Sequence, residues 1–169
     1  NTMMSRARAG LGTLANYNAL QEQLDVLDLA DYMLVNFYTG NDDWPHHNWY
    51  AGRRRVPGGV FRFFSWDAEH VLKDVNVNRV GVNNNNTPAE AYSRLRQSPE
   101  WRLLFADRVH QHFFNGGPLY VNPEERSWNP ERPGENRPAA LYMKRADQIN
   151  LPMVLEAARW GDVRREPPY

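Results

Sequence analysis

The sequence predicts an α+β fold, mostly helical, with one β-hairpin. Apolar residues recur at three- and four-residue spacing in several segments, and a single stretch between residues 49 and 66 is rich in aromatic and β-favouring residues around Pro57-Gly58-Gly59. The order along the chain is helix, loop, hairpin, loop, then several helices, so strands and helices are segregated rather than interleaved.

The clearest helix starts at Asp25. Val26, Leu29, Ala30, Met33 and Phe37 form its apolar stripe, Asp25 and Asp28 suit its positive N-terminal end, and Gly40 is placed to stop it. Upstream, Leu11 to Leu24 reads as a weaker helix carrying Tyr17, Leu20 and Leu24. Trp49 to Arg55 and Val60 to Trp66 are the expected strands, joined by a tight reversal at Pro57-Gly58-Gly59. Val75 to Thr87, with Asn83 to Asn86 inside it, has little to bury and is expected as a surface loop.

Pro88 to Gln97 predicts a short helix. Ser98-Pro99-Glu100 is a capped start for another, with Trp101, Leu104, Phe105, Val109 and Phe113 on one side and Asn115-Gly116-Gly117-Pro118 as its end. Val121 to Pro138 holds several prolines and no apolar stripe, so it should run over the surface. A last helix is expected from about Asn150 to Trp160, with Pro152 in its first turn and Gly161 as the stop. One partial domain over 1–169 is the expected organisation: a helical lead-in at 1–24, loops and hairpin at 25–74, the Asn-rich loop at 75–87, and a helical part at 88–162 with a Pro-rich loop at 121–138.

Composition narrows the function classes. The 20 basic and 20 acidic residues cancel, so no overall field draws the chain to nucleic acid or to an anionic membrane, and no nucleic-acid partner is expected. With no cysteine, disulfides, thiolate zinc sites and a cysteine nucleophile are excluded. No apolar run approaches the length of a membrane span, and the N-terminus lacks a charged-then-apolar signal pattern. A chain opening at Asn1 and ending Arg165-Glu166-Pro167-Pro168-Tyr169 suits a piece of a longer protein.

Chemistry concentrates between Gly40 and Glu69. The loop after the strong helix reads Gly40-Asn41-Asp42-Asp43-Trp44-Pro45-His46-His47-Asn48-Trp49, and the second strand runs into Ser65-Trp66-Asp67-Ala68-Glu69, so two acidic clusters flank one hairpin. Protein kinases place a catalytic aspartate in a loop, a metal-binding asparagine five positions later, and a metal aspartate after a hairpin. Asp43, Asn48 and Asp67 have that arrangement. Magnesium, or manganese, holding the phosphates of ATP needs hard oxygen ligands from more than one segment. Asn48 and Asp67 can supply them, while Asp43 faces the attacking hydroxyl and takes its proton.

Other readings exist for the same stretch. Asp42, Asp43, Asp67 and Glu69 could serve a metal-dependent hydrolase, and His46 and His47 beside Asp42 and Asp43 could hold a transition metal. Adjacent loop side chains point apart, so His46 and His47 are expected as exposed turn residues, and His110 and His112 fall on different helix faces. Trp44, Trp49 and Trp66 could stack a base or sugar but are expected in the core. Arg53-Arg54-Arg55 could bind acidic peptide or phosphate, or could guard a strand edge.

The surrounding residues carry a resemblance. Asp31-Tyr32-Met33-Leu34-Val35-Asn36, Gly40-Asn41-x-Asp43-Trp44-Pro45-x-x-Asn48 and Phe61-Arg62-Phe63-x-x-Trp66-Asp67 resemble the signature of the spore-coat CotH kinases, atypical secreted or surface protein kinases. Ser98-Pro99-Glu100-Trp101-Arg102 with Phe105-Ala106-Asp107-Arg108, and Glu156 to Asp162, are similar to later family segments. The resemblance implies the carboxy-terminal lobe of a kinase-like fold with the metal site on its hairpin, ATP, a protein substrate and a cell-surface or extracytoplasmic location. It implies Asp43 as the catalytic aspartate, Asn48 and Asp67 as ligands of metal and nucleotide, and a supporting role for Asn41. Glu69 stands where many members have an aspartate, which makes it a further metal ligand. Lys73 and Lys144 are not placed as the strand lysine of a nucleotide-covering lobe, so that lobe is expected upstream in the same chain, and weak or no phosphotransfer is expected of this piece alone because half the phosphate clamp is absent. A degenerate relative used for surface binding or architecture is the alternative.

Overall fold

The computed structural model describes residues 2–161. It is α+β and about half helical, less than the mostly helical fold expected: α1 (Thr2–Ala7), α2 (Leu14–Gln21), α3 (Val26–Tyr38), β1 (Trp49–Gly52), β2 (Arg62–Ser65), α4 (Pro88–Leu95), α5 (Pro99–Phe113) and α6 (Arg137–Trp160). Two compact units divide the chain, Asn1–Val109 and His110–Tyr169, with the division inside α5.

In the first unit α3 is the central element. The Asp25 carboxylate accepts from the Asp28 N–H at 3.0 Å, and Val26, Leu29, Ala30 and Met33 are buried along one face. Gly40 ends this helix with φ +58°, and a Cβ there would lie 3.3 Å from Val77 Cγ1, so glycine suits both the left-handed backbone and the close approach. Leu20 and Leu24 at the end of α2, Tyr92 and Leu95 of α4, and Trp101 of α5 complete one hydrophobic core with α3.

The β-hairpin is present but shorter than the sequence suggests. β1 and β2 are antiparallel, with Trp49 opposite Ser65 and Gly52 opposite Arg62. Phe61 is diverted from this ladder: its N–H donates to Gln23 O at 2.7 Å and its carbonyl accepts from Asp25 N–H at 2.9 Å. The reversal is therefore a broad loop over 53–61 rather than a tight turn. Gly59 packs there so closely that a Cβ would sit 2.2 Å from Arg54 O. Gly59→Ala should accordingly force the loop to shift, read as loss of slow amide exchange at Asp25 and Phe61 while α3 stays protected.

α4 and α5 follow expectation. Ser98 Oγ accepts from Trp101 N–H at 3.2 Å and donates to Glu100 Oε2 at 2.8 Å, which satisfies one free donor of the first turn. Ser98→Ala should destabilise the first unit by about 1 kcal/mol, measured by urea unfolding. Ion pairs also bind sequence-distant elements. Arg8 holds the buried Glu90 with Nε to Oε1 at 2.8 Å and NH2 to Oε2 at 2.7 Å, and Arg108 of α5 grips Asp31 of α3 at 2.6 and 2.5 Å.

The second unit corrects the last helix. α6 begins at Arg137 rather than near Asn150, because the Asn136 side chain caps it by accepting from Ala139 N–H at 3.0 Å and Pro138 sits in its first turn. Pro152 consequently lies inside the helix and not at its start. The irregular stretch before it is closed by Asn122 N–H donating to Glu135 O at 2.7 Å. Residue Asp162 of the late sequence motif lies outside the described residues.

Candidate active site

The site loop is anchored before it reaches its functional residues. Asn41 is buried; its N–H donates to Asn36 O at 3.1 Å and its Nδ2 to Asn36 Oδ1 at 2.9 Å, while Asn36 Nδ2 donates to Tyr32 O at 2.9 Å. The loop start is thus fastened to the last turns of α3. From the other side Arg79 Nε donates to Asn41 O at 2.8 Å, and the same guanidinium holds the carbonyl and carboxylate of Asp42. Asp42 N–H donates to His70 O at 2.8 Å, which draws the segment after the hairpin against the loop. Asp42 is therefore committed to Arg79, which weakens the hydrolase reading that counts it as a metal ligand.

Trp44 fixes the next turn. It is 1% exposed, its indole N–H donates to Tyr32 Oη at 2.6 Å, and its ring meets Phe37 edge-on at 6.1 Å. Burial pushes the Tyr32 phenol up, so it stays neutral and can accept that bond. The Trp44–Pro45 peptide is cis. Trp49 is half-buried, with its indole N–H on Pro45 O at 3.0 Å. Trp66 departs from the expected core position: just after β2 it is 57% exposed and leans edge-on against Tyr50, on the solvent side with Phe64.

Asp43, Asn48 and Asp67 converge. Asn48 Nδ2 donates to Asp43 Oδ2 at 2.7 Å and also to the main-chain carbonyl of Asp67 at 3.3 Å, and Trp66 N–H donates to Asn48 O at 3.2 Å. One asparagine thereby ties the loop before β1 to the segment after β2. Both joints are left-handed, with φ +62° at Asn48 and +49° at Asp67, a conformation that asparagine and aspartate adopt more readily than bulky residues. Asp67 and Glu69 are exposed, while Asp43 is half-buried.

The two histidines do not point apart as the sequence suggested. His47 Nε2 lies 2.6 Å and His46 Nε2 3.5 Å from Asp43 Oδ1, and the two rings meet edge-on with centroids 4.0 Å apart. A turn over 43–48 folds back both rings onto the carboxylate. Partial burial opposes ionisation of Asp43, yet the hydrogen bond and charge of His47, with His70 and His46 beyond it, hold its carboxyl below the usual carboxylate range. Among the described residues, two groups bring ligand atoms within 4.8 Å of one another: Asp43 with His46 and His47, and Asp43 with Glu69 and His70. The carboxylate of Asp67 is in neither group.

The CotH kinase protein family model matches residues 8–114. The chain belongs to the CotH kinase family. The match contains the whole loop, the hairpin and the acidic segment after it, which is a kinase-like domain by family. No match was found among curated proteins or among solved structures.

Within the CotH domain, His70 and Arg79 are site-forming residues that sequence reasoning did not single out. His70 stands three positions after Asp67, near enough to the acidic motif to have been noticed; Arg79 lies in a stretch read only as surface loop, and nothing local distinguished it. Arg53 is committed elsewhere, stacked over Phe61 at 5.2 Å, and Arg62 pairs with Asp25 at 2.8 Å. A hollow of about 670 Å³ at the hairpin loop is lined in part by Arg53, Arg54 and Arg62, away from Asp43.

Asn48, Asp67 and Glu69 are of the residue types that supply the amide and carboxylate oxygens magnesium and manganese take, and Asn48 joins the two segments that carry them; of these three, Glu69 brings a ligand atom within 4.8 Å of Asp43.

Proposed function

We propose that this CotH domain transfers the γ-phosphoryl group of ATP to a hydroxyl of a protein substrate. The observation that carries the reading is the position of Asn48, whose one amide nitrogen reaches both Asp43 Oδ2 and the Asp67 carbonyl. In this reading Asp43 orients the attacking hydroxyl and accepts its proton as the new O–P bond forms and the bond to the leaving ADP oxygen breaks. Against partial burial, His47 and its neighbours hold the Asp43 carboxyl below the usual carboxylate range, so it is ionised at neutral pH. Asn48 and Asp67 would hold Mg²⁺ or Mn²⁺ with the nucleotide phosphates, Glu69 would add a further carboxylate, and Asn41 would support the loop from beneath. The cation, when bound, neutralises charge on the phosphates.

The phosphate-pairing cation and the strands that cover the nucleotide are proposed to lie upstream in the parent chain, making this the carboxy-terminal lobe. A surface location goes with the spore-coat family; among the described residues no helix is long and apolar enough to cross a membrane.

Asp67→Ala tests the metal assignment directly. Titration of magnesium-ATP or manganese-ATP into the protein should show binding weakened by about tenfold or more in the variant. Equal binding by both proteins would overturn the role given to Asp67.

A further inference from the structure

The Asp43 carboxylate is shared between two environments. Its Oδ2 faces Asn48 at 2.7 Å, while its Oδ1 faces His47 and His46 at 2.6 and 3.5 Å. The first side is an amide N–H donor; the second is imidazole nitrogen. We propose that Asp43, His46 and His47 form a second, transition-metal site, selective for a borderline divalent cation such as Zn²⁺, whose occupancy switches the phosphotransfer centre off.

Ligand type and spacing both support this. Two imidazoles and one carboxylate suit zinc and its neighbours far better than magnesium, which keeps oxygen ligands. Zinc bonds of about 2.0–2.1 Å in a tetrahedral shell place ligand atoms roughly 3.3 Å apart. The three ligand atoms all lie within 4.8 Å of one another, and both histidine side chains are about half exposed, 51% and 53%, so an ion from solvent can enter and seat after side-chain adjustment alone. Open catalytic-type zinc sites also use three protein ligands. Glu69 and His70 gather with the same aspartate in a separate group that contains neither His46 nor His47, so the remaining position is left to solvent.

The consequence follows from the shared carboxylate and rests on the proposed kinase reading. A cation bound at Oδ1 draws electron density from Asp43 and lowers its basicity, so the group that accepts the hydroxyl proton is withdrawn without disturbing Asn48. The hard-cation site and the imidazole site thus compete through one side chain.

Co²⁺, a spectroscopic stand-in for Zn²⁺, provides the test on the 169-residue chain. Stoichiometric Co²⁺ should produce the strong visible absorption of a four- or five-coordinate ion, and Zn²⁺ should displace it in excess magnesium. The double substitution His46→Ala/His47→Ala should weaken Co²⁺ and Zn²⁺ binding by more than about a hundredfold, above what loss of an outer partner causes. His110→Ala/His112→Ala should leave binding unchanged. Undiminished Co²⁺ absorption in the first variant, or loss in the second, would overturn the site. Phosphotransfer by the protein as expressed from its gene, with the covering lobe present, supplies a separate arm: Zn²⁺ should inhibit the native protein, while the His46→Ala/His47→Ala variant should keep its own zinc-free rate. Zinc binding without inhibition would overturn the switch. Absence of phosphotransfer by that protein without zinc would count against the kinase reading, while the absorption result still decides the metal site.

Discussion

Asp43→Asn is expected to lower protein phosphorylation by about 10²- to 10⁴-fold, the range typical of removing a general base. The substitution preserves the size and shape of the side chain but removes its charge and replaces one oxygen with an amide nitrogen. Either the Asn48 amide at 2.7 Å or the His47 ring at 2.6 Å must then face a donor instead of an acceptor. Asp43 is half-buried and at the mouth of the loop, whereas the loop is held by Trp44, Asn41 and Arg79, so the fold should survive. The measurement is the initial rate of label transfer from ATP to an acceptor protein, using the protein as expressed from its gene, alongside thermal unfolding of both forms. A native rate in a variant that melts normally would remove Asp43 from the role of base.

Arg8→Ala carries the largest expected effect on stability. Glu90 is 1% exposed in α4, and its two oxygens accept from Arg8 at 2.8 and 2.7 Å and from the Asn86 N–H at 2.7 Å, with Arg94 at 3.5 Å. Removing Arg8 leaves the buried Glu90 carboxylate with only the Asn86 N–H and the more distant Arg94 to compensate its charge. The first unit should be destabilised, read by urea unfolding near neutral pH. The pH dependence has a definite sign. The Arg8 hydrogen bond acts first, against burial, with help from Asn86 and Arg94, and holds the Glu90 carboxyl down at about 2 from its ordinary 4.5. A carboxylate depressed in the folded state adds stability that is complete above the unfolded value. That contribution declines as pH falls from about 4.5 and is gone below about 2. In Arg8→Ala the decline over this interval should be shallower. A slope equal to that of the native protein would show that Arg8 does not set the ionisation of Glu90.

The family and the main elements were legible in the primary structure for identifiable reasons. α3 has a cap, a 3.6-residue stripe and a glycine stop, all local signals that tertiary packing reinforced. Ser98-Pro99-Glu100 announced α5 in the same way. α6 is longer than its sequence suggests because Pro138, counted with the surface stretch, occupies its first turn, and Pro152, expected in a first turn, lies in the body of the helix. The hairpin was drawn too long because β-propensity says nothing about which neighbour a strand residue will pair with, and Phe61 pairs with residues 23 and 25 instead of with β1.

For the site, the five-residue step from Asp43 to Asn48 and the hairpin before Asp67 are facts of sequence spacing, and they mark the side chains on which the proposed kinase reading rests. Spacing could not say that Asn48 bridges both segments, that Arg79 removes Asp42 from the set, or that His46 and His47 turn onto one carboxylate oxygen. Those outcomes depend on left-handed backbone at Asn48 and Asp67 and on bonds between residues many positions apart. The chemical inventory, the capped helices and the family are each encoded in short runs of residues and are legible there. Which of those groups meet depends on the fold, since the direction of a loop side chain is set by the distant elements that clamp its backbone.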